Sequence, residues 1–337
     1  MFVGGHGQES FRRAARDAHV EAVAAPAVRA PRSRLDTPVV ILKLAIATVR
    51  AWALLRRHRV DAVLGMGGYT SVAVGIAAWL SRTPLILHDG NAVAGRANRI
   101  LSSMARVLAL SYPLRNPEGI RCGVEMVGMP VRQELLAASR KADMRPAILT
   151  ELGLDPEKLT LLIFGGSQGA RVINDIVPET IRTLRSDAGR LQIIHLTGHD
   201  NNEGLERSYR EAGFVVRLQR YEPHIEKLLI AADLCLCRAG GSTIAELALF
   251  GLPAILVPLA AAADGHQLAN AQTSTEIGGA IVIEESQLSA DRLAAALTAW
   301  LNNPEPFRAR GVSLHANARP DAAKHLLTLI GQIVDKA

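Results

Sequence analysis

One segment, residues 234–258, constrains the fold more than any other part of the chain. Its sequence, LCLCRAGGSTIAELALFGLPAILVP, predicts a short buried strand (Leu234–Cys237), a glycine-rich turn (Arg238–Ser242), a helix that stops at Gly251 and a second strand that reaches Val257. Short apolar runs bounded by Gly and Pro are typical of strands in a parallel sheet. The segment therefore predicts a βαβ unit and an α/β fold.

The turn of this unit is suited to an anionic ligand that also carries hydroxyl groups. A helix that begins at such a turn offers N–H groups and the positive end of its dipole to an anion. Glu246, early in the helix, could accept a hydrogen bond from a ligand hydroxyl, so the combination indicates a nucleotide-sugar site. From these residues alone a second interpretation stays open, in which Ser242 caps the helix and Glu246 is solvated.

Length and composition limit the class of protein. A chain of 337 residues, 49% of them hydrophobic, can form two domains with sizeable cores. Three cysteines (Cys122, Cys235 and Cys237) make no disulfide framework and fit a reducing compartment. No Cys/His spacing indicates a metal site. The net charge of +6 favours anionic partners. No basic segment interleaved with aromatic residues accompanies it, so we expect a diphosphate ligand or anionic lipid rather than nucleic acid.

Strands and helices alternate in two halves of the chain. Short apolar strands are predicted at 62–64, 84–87, 107–110 and 125–127 in the first half, and at 159–164, 191–196, 234–237 and 280–283 in the second. Glycines or polar residues follow most of these strands, at the edge where open parallel sheets bind ligands. We therefore predict two doubly wound, Rossmann-like domains that face a cleft, with the charged stretch 138–146 as the linker.

A long apolar helix is predicted from Pro38 to Arg57. Lys43, Arg50 and Arg57 recur every seven residues and form a narrow cationic stripe on it. Because Lys43 and Arg50 interrupt the apolar run, we do not expect the helix to span a membrane. Two interpretations stay open: a helix that lies on a membrane surface, or a helix buried on most sides with residues 56–59 as partners of its C-terminal dipole.

The second half opens with another candidate phosphate-binding turn. The motif GGSQGA at 165–170 follows a clean apolar strand and precedes a helix, which is the order that a phosphate site requires. Its glycine spacing differs from the dinucleotide fingerprint. The next strand ends in Thr197-Gly198, where a nicotinamide-dinucleotide site would need an acidic residue. Both features argue against a dehydrogenase.

Six motifs, in this order, resemble those of the MurG family. They are GMGGY (65–69), HDGNAVAG (88–95), VGMPVR (127–132), GGSQGAR (165–171), CRAGGSTIAE (237–246) and DGHQLANA (264–271). Members of that family transfer N-acetylglucosamine from its UDP donor to lipid I, the undecaprenyl-diphosphate-linked muramyl peptide, to form lipid II at the cytoplasmic face of the bacterial inner membrane. The resemblance implies the two-domain GT-B fold, with an incomplete acceptor and membrane-facing domain (1–138), a donor domain (139–313) and a C-terminal helix that returns toward the first domain (314–337).

The resemblance also implies a donor site. Its residues would be Asn91, Arg132, Ser167, Gly241, Ser242, Thr243, Glu246 and Gln267. Ser167 and residues 241–243 would bind the diphosphate. Glu246 would bind the ribose hydroxyls, and Gln267 and Asn91 would contact the sugar. The segment 221–224 falls where the family's backbone holds uracil.

The acceptor and membrane side is implied in the same way. Its residues would be Gly67, Gly68, Tyr69 and Trp79, together with the Pro38–Arg57 helix. The family opens with a strand and a GGTGGH turn that holds the acceptor diphosphate and supplies a proposed histidine base. Gly4-Gly5-His6 resembles the end of that turn, but residues 8–20 fit the family's second βα unit better. We therefore expect the family's first strand, turn and helix to be absent, and the catalytic base stays open, with His6 as a candidate.

The expected chemistry is an inverting displacement of UDP by a muramyl hydroxyl, without a metal or other cofactor, because helix N-termini can stabilise the diphosphate. The usual HEQN of the family is HDGN here (88–91), which predicts a looser acceptor side. We expect donor binding with weak or absent transfer. Three hypotheses remain: a MurG-type transferase, a UDP-sugar-binding relative without activity that still docks on the anionic membrane, and a UDP-N-acetylglucosamine 2-epimerase.

Overall fold

The computed structural model describes residues 2–4, 22–24, 37–165, 171–199 and 202–336. Their contacts divide the chain into two compact units, one of residues 1–128 with 323–337 and one of residues 129–322. Each unit is built on a parallel sheet flanked by helices. The predicted fold class of two parallel-sheet α/β domains is thus confirmed. The domain limits at 138 and 313 stay a prediction.

The described residues of the first unit form six short strands and three helices before residue 128. They are β1 (Phe2–Gly4), β2 (Ala22–Ala24), α1 (Thr37–Arg57), β3 (Val63–Gly65), α2 (Tyr69–Leu80), β4 (Leu85–Asp89), α3 (Arg96–Leu101), β5 (Val107–Leu110) and β6 (Gly123–Met126). β1 pairs with β2 in parallel, and the other strands form a parallel sheet in the order β3-β4-β5-β6.

The second unit has a larger parallel sheet. Its elements, with the last helix of the chain, are α4 (Gln133–Ala138), α5 (Arg145–Glu151), β7 (Leu159–Phe164), α6 (Arg171–Thr183), β8 (Leu191–Leu196), α7 (Glu203–Ala212), β9 (Val215–Gln219), α8 (Ile225–Ala231), β10 (Leu234–Cys237), α9 (Gly241–Phe250), β11 (Ala254–Leu256), α10 (His266–Glu276), β12 (Ala280–Val282), α11 (Ala290–Asn302), α12 (Glu305–Ala316) and α13 (Ala322–Val334). Short 3-10 turns lie at 142–144, 185–187, 263–265 and 285–287. The strand order is β12-β11-β10-β7-β8-β9.

The central strands of the two larger sheets are buried on both faces, as is typical of parallel sheets. In the first unit, side chains of α1 and α2 cover one face of β4, and Leu326 and Leu329 of α13 cover the other with Ile86, Val107 and Ala109. In the second unit, one core joins β7, β8 and β10 to α6 and α11, with Trp300 among its fully buried side chains. The carboxyl ends of the strands are thereby held at fixed positions, which determines where the turns lie.

Elements with a strong apolar pattern lie where the sequence predicts them, and six other described elements were missed. The strands at 107–110, 159–164, 191–196 and 234–237 are confirmed to the residue. The missed elements are β2, α3, α5, α7, β9 and α12. Half of the residues of α7 are charged, and β9 is an edge strand with no fully buried residue, so neither has the apolar run that marks an internal element. The predicted linker, 138–146, includes a 3-10 turn and the start of α5.

Helix α1 is exposed over most of its surface. Only Ala47, Thr48, Ala51 and Leu55 are buried, so the interpretation as a helix buried on most sides is wrong. Among the described residues, α1 is the one helix whose length of 21 residues and mean hydropathy of 1.8 would suffice to cross a membrane, a criterion of length and composition alone.

Candidate functional site

The strand order of the second unit places the carboxyl ends of β7 and β10 side by side. β7 pairs with β10 on one side and with β8 on the other, so the winding of the sheet reverses between β7 and β10. Phe164 and Cys237, the last residues of these two strands, are register partners. Ligands of open α/β sheets bind at the carboxyl ends of the strands at this reversal. The carboxyl ends of β7 and β10 therefore mark the candidate site, and residues 166–170, which include Ser167, lie outside the described residues.

The turn after β10 leads directly into helix α9. Gly240 is the N-cap residue, with extended backbone angles, and no side chain in the described part of the chain caps the helix. Ser242 is the second helical residue and is exposed, so the interpretation of Ser242 as a cap is wrong. The amides of Ser242 and Thr243 lie in the first turn, where helix geometry provides no carbonyl acceptor. The N-terminus of α9 thus has the polarity that an anion requires.

Glu246 lies further along the same helix and is half-buried. Burial raises the pKa of its carboxyl, and the positive charge of Arg132 partly offsets that rise. Burial and the Glu246 carboxylate together also raise the pKa of the nearby Cys237 thiol, which stays protonated. The interpretation of Glu246 as a solvated side chain is therefore wrong. Burial removes favourable solvation from this carboxylate. A carboxylate that is kept in such a position, beside a helix N-terminus, is typical of a functional residue.

Helix α10 carries Gln267 toward the same turn. The Nδ2 of Asn270, one turn later and buried, donates to the carbonyl of Ala239 at 3.1 Å. The Oε1 of Gln267 accepts from the N–H of Leu259 at 3.0 Å. Since that contact engages the oxygen of Gln267, its amide NH₂ is the group suited to a ligand acceptor.

Helix α6, which follows the 165–170 motif, is anchored by a buried hydrogen-bond chain. The Oδ1 of Asn174 accepts from His195 Nε2 at 3.0 Å, and its Nδ2 donates to the carbonyl of Thr197 at 2.9 Å. The hydroxyl of Tyr209 lies 3.0 Å from Nδ1 of His195. Burial, with a smaller effect of nearby His199, lowers the pKa of His195 to about 3. His195 is therefore neutral and structural, and it fixes the helix end rather than taking up a proton.

The remaining predicted donor residues lie in different parts of the chain. Arg132 is exposed just before α4 and belongs to the second unit. The segment 221–224 follows the edge strand β9, with Tyr221 exposed and the N–H of His224 donating to Glu222 Oε1 at 2.9 Å. Asn91 belongs to the first unit. The roles of these residues stay predictions.

In the first unit, three of the four predicted acceptor-side residues lie at the start of α2. Gly67 and Gly68 have φ values of +82° and +79°, which only glycine adopts without strain. The hydroxyl of Ser71 donates to the carbonyl of Gly67 at 2.7 Å and holds this turn. Tyr69 begins the helix and Trp79 lies near its end, and both are exposed.

Buried hydrogen bonds hold the HDGN motif. Asp89 is buried, and its carboxylate accepts hydrogen bonds from the N–H groups of Asn91 and Gly95 and from Nδ2 of Asn98, at 2.8–3.1 Å. His88 is buried as well, with Nε2 at 3.0 Å from the carbonyl of Gly128, and burial lowers its pKa. The motif is thus a hydrogen-bonded loop, and the looser acceptor side stays a prediction.

Comparisons with known proteins identify the family. The Glycosyltransferase family 28 N-terminal domain matches residues 7–109, and the Glycosyltransferase family 28 C-terminal domain matches residues 160–326. The chain is 41% identical over 295 residues to an Alkalilimnicola ehrlichii protein named UDP-N-acetylglucosamine--N-acetylmuramyl-(pentapeptide) pyrophosphoryl-undecaprenol N-acetylglucosamine transferase, which covers 87% of this chain and 78% of that protein. A Paramagnetospirillum magneticum protein of the same name is 36% identical, covering 89% of this chain and 80% of its own length.

The chain belongs to the MurG family.

Solved structures agree with this membership. The crystal structure of Acinetobacter baumannii MurG matches with a TM-score of 0.77 and 27% identity, covering 98% of this chain and 90% of that one. A Neisseria meningitidis UDP-GlcNAc 2-epimerase, bound to UDP-GlcNAc, matches with a TM-score of 0.67 at 12% identity, which shows a shared fold alone. In this MurG-family chain the predicted GT-B class is therefore confirmed. Gly5 and His6 of the predicted glycine turn lie outside the described residues.

Proposed function

We propose that this protein is an inverting hexosyltransferase that moves N-acetylglucosamine from UDP-N-acetylglucosamine to lipid I and forms lipid II in peptidoglycan synthesis. The observation that carries the proposal is the uncapped N-terminus of α9 with half-buried Glu246, placed in a family 28 C-terminal domain. The names of the relatives supply the two substrates.

Donor binding follows from the chemistry of the second unit. The first-turn amides of α9 would hold the diphosphate, and the positive end of the helix dipole would stabilise the charge that develops when UDP leaves. The Glu246 carboxylate would accept from the ribose hydroxyls, and Gln267 would donate to a sugar hydroxyl. Among the described residues no cluster of three or more His, Cys, Asp and Glu side chains could hold a metal ion. The amides of α9, Glu246 and Gln267 would act as a preformed electrostatic site.

The transfer step requires a group that the described residues do not identify. A hydroxyl oxygen of the muramyl sugar forms a bond to the anomeric carbon from the face opposite UDP, and the bond from that carbon to the diphosphate oxygen breaks with its electron pair on UDP. The hydroxyl proton must go to a base. His6 stays a candidate for that base.

The direct test is transfer of labelled N-acetylglucosamine from its UDP donor to a short-chain lipid I analogue by the chain of 337 residues. Although the sequence predicted weak or absent transfer, the names of the relatives favour product formation, and Glu246→Ala should abolish it. Isothermal titration with UDP is run on the same preparation. UDP binding without product would support the UDP-sugar-binding relative, and failure to bind UDP would overturn the donor site.

Release of a 2-epimerised UDP sugar without acceptor would support the epimerase. In a variant His6→Gln, unchanged transfer would exclude His6 as the base.

The first unit has a surface suited to a membrane. Helix α1 exposes at least 40% of each of six large apolar side chains: Val39, Ile41, Leu42, Ile46, Val49 and Trp52. At 100° per residue, Lys43, Arg50 and Arg57 lie within about 40° of one another along one edge of this apolar face. Arg56 lies over the ring of Trp52 at 5.5 Å, a pairing suited to an interface. We therefore infer that α1 lies on the anionic inner-membrane surface, at the cytoplasmic face where nucleotide sugars are made.

Introducing charge on this face should release the protein from lipid. The double variant Leu42→Glu Ile46→Glu should lower binding to phosphatidylglycerol-containing vesicles at least about tenfold, since each apolar side chain contributes roughly 1.5–3 kcal/mol on burial. The measurement is vesicle co-sedimentation at two salt concentrations. The matched control is Val215→Glu Val312→Glu, which alters two exposed apolar residues of the second unit. Equal losses in both double variants would contradict a docking surface on α1.

A further inference from the structure

A charged pair joins the carboxyl ends of neighbouring strands in the second unit. Arg238 immediately follows β10, and its side chain is only 8% exposed. Its Nη2 lies 2.6 Å from Oε1 of Glu285, and its Nη1 donates to the carbonyl of Val257, just after β11, at 3.1 Å. Glu285 itself follows β12. The pair therefore links the ends of three strands at the ligand-binding edge of the sheet.

The second oxygen of Glu285 holds the loop that connects β11 to α10. Its Oε2 accepts from the N–H of Ala260 at 2.8 Å. The preceding N–H, that of Leu259, donates to Gln267 Oε1 at 3.0 Å. Two consecutive amides of this loop are thus fixed, one by the charged pair and one by the residue predicted to contact the sugar. A displacement of Ala260 would be transmitted to Leu259 and hence to Gln267.

We propose that Arg238 and Glu285 are positioning residues for recognition of the donor sugar. They act through the backbone at 259–260 and set the direction in which the Gln267 amide points. This inference rests on the proposed function, because it takes Gln267 to be a sugar contact. It predicts a selective effect: recognition of the sugar should depend on the pair, while recognition of UDP, which uses the start of α9 and Glu246, should not.

The same strand offers a matched control at its other end. Asp233 precedes β10, and its Oδ2 pairs with Arg145 Nη2 at 2.6 Å and accepts from the N–H of Thr160 at 2.8 Å. Like Glu285, it is a partly buried carboxylate that joins an arginine and a backbone amide. It differs in lying at the amino end of the sheet, away from the turns. Asp233→Asn therefore reproduces the structural loss of Glu285→Gln without reaching Gln267.

The test measures binding of UDP and of UDP-N-acetylglucosamine by isothermal titration. In Glu285→Gln, we expect the ratio of the dissociation constant for the sugar nucleotide to that for UDP to rise about tenfold, the value of one hydrogen bond. In Asp233→Asn, the ratio should stay within about twofold of the parent value. Preference for UDP-N-acetylglucosamine over its 4-epimer should fall in Glu285→Gln alone. In the transfer assay, KM for the donor should rise while kcat changes little.

A second variant covers the case in which Glu285→Gln folds poorly because it leaves Arg238 unpaired. The double variant Arg238→Gln Glu285→Gln removes both charges together and should show the same rise in the ratio. An unchanged ratio in a variant that still binds UDP would overturn the positioning role and leave the proposed function intact. If the parent chain bound no UDP, the proposed function would fail and this inference with it.

Discussion

Glu246→Gln should weaken UDP binding about ten- to hundredfold, since a hydrogen bond to a charged group contributes roughly 1.5–3 kcal/mol. The carboxylate of Glu246 is the acceptor that we assign to the ribose hydroxyls, and a glutamine at this position brings one carbonyl oxygen and no charge. The same variant should be more stable than the parent at neutral pH. Loss of function with gain of stability distinguishes a ligand-binding residue from one that holds the fold.

The gain in stability follows from the direction of the pKa shift. Burial raises the pKa of Glu246 in the folded chain above its value in the unfolded chain. The parent therefore loses stability as the pH rises from the unfolded pKa, about 4.3, through the raised folded pKa. Glutamine does not ionise, so the difference between variant and parent should be absent at the acidic end of this window and complete above it. UDP binding by the parent should strengthen over the same window.

The measurement is urea unfolding of both proteins at several pH values, with UDP titrations at each. The control is Glu211→Gln, an exposed glutamate of α7 in the same unit, which should change neither quantity. A variant that lost stability at neutral pH would show that Glu246 is a structural partner of Arg132. A variant that bound UDP as the parent does would remove Glu246 from the donor site.

Local sequence signals were sufficient to predict the βαβ segment at 234–258, which includes β10 and α9. The apolar run of β10, the glycines of the turn and the stop at Gly251 each act over a few residues, and this stretch of the structure follows the prediction closely. Gly251 has the left-handed conformation that ends a helix. The prediction of the substrates, in contrast, came from the order of the motifs and their resemblance to a family. No local signal indicated the substrates.

Contacts between distant segments could not be predicted in this way. The pairing of Arg238 with Glu285 depends on β10, β11 and β12 being neighbours, which requires the strand order of the sheet. Asp89 illustrates the same limit, because the sequence of the motif does not reveal that its carboxylate accepts three hydrogen bonds. The choice between the alternative interpretations of Ser242 and Glu246 likewise required the structure. It shows that Gly241 is the first residue of α9 and that Glu246 is half-buried.

The close packing of α12 on the end of α9 leads to the second large effect. A Cβ added at Gly311 would overlap the carbonyl oxygen of Gly251 and lie 3.1 Å from Cδ of Pro253. The carbonyl of Ala248, in the last turn of α9, also accepts from Nδ1 of His315 at 3.2 Å. Backbone atoms cannot withdraw as the end of a side chain can, so Gly311→Ala should destabilise the second unit by about 3 kcal/mol.

Gly204→Ala is the matched control, because a Cβ at this helical position in the same unit meets no atom within 4 Å. It should stabilise by about 0.5 kcal/mol through helix propensity. Trp300 is buried in the second unit and can report its urea unfolding in a background of Trp52→Phe Trp79→Phe.

UDP at a hundred times its dissociation constant should restore about 2.7 kcal/mol to Gly311→Ala, provided that the donor site on α9 persists. Equal unfolding midpoints for Gly311→Ala and Gly204→Ala would contradict the clash. Destabilisation without recovery by UDP would mean that the displaced end of α9 carries the diphosphate-binding turn with it.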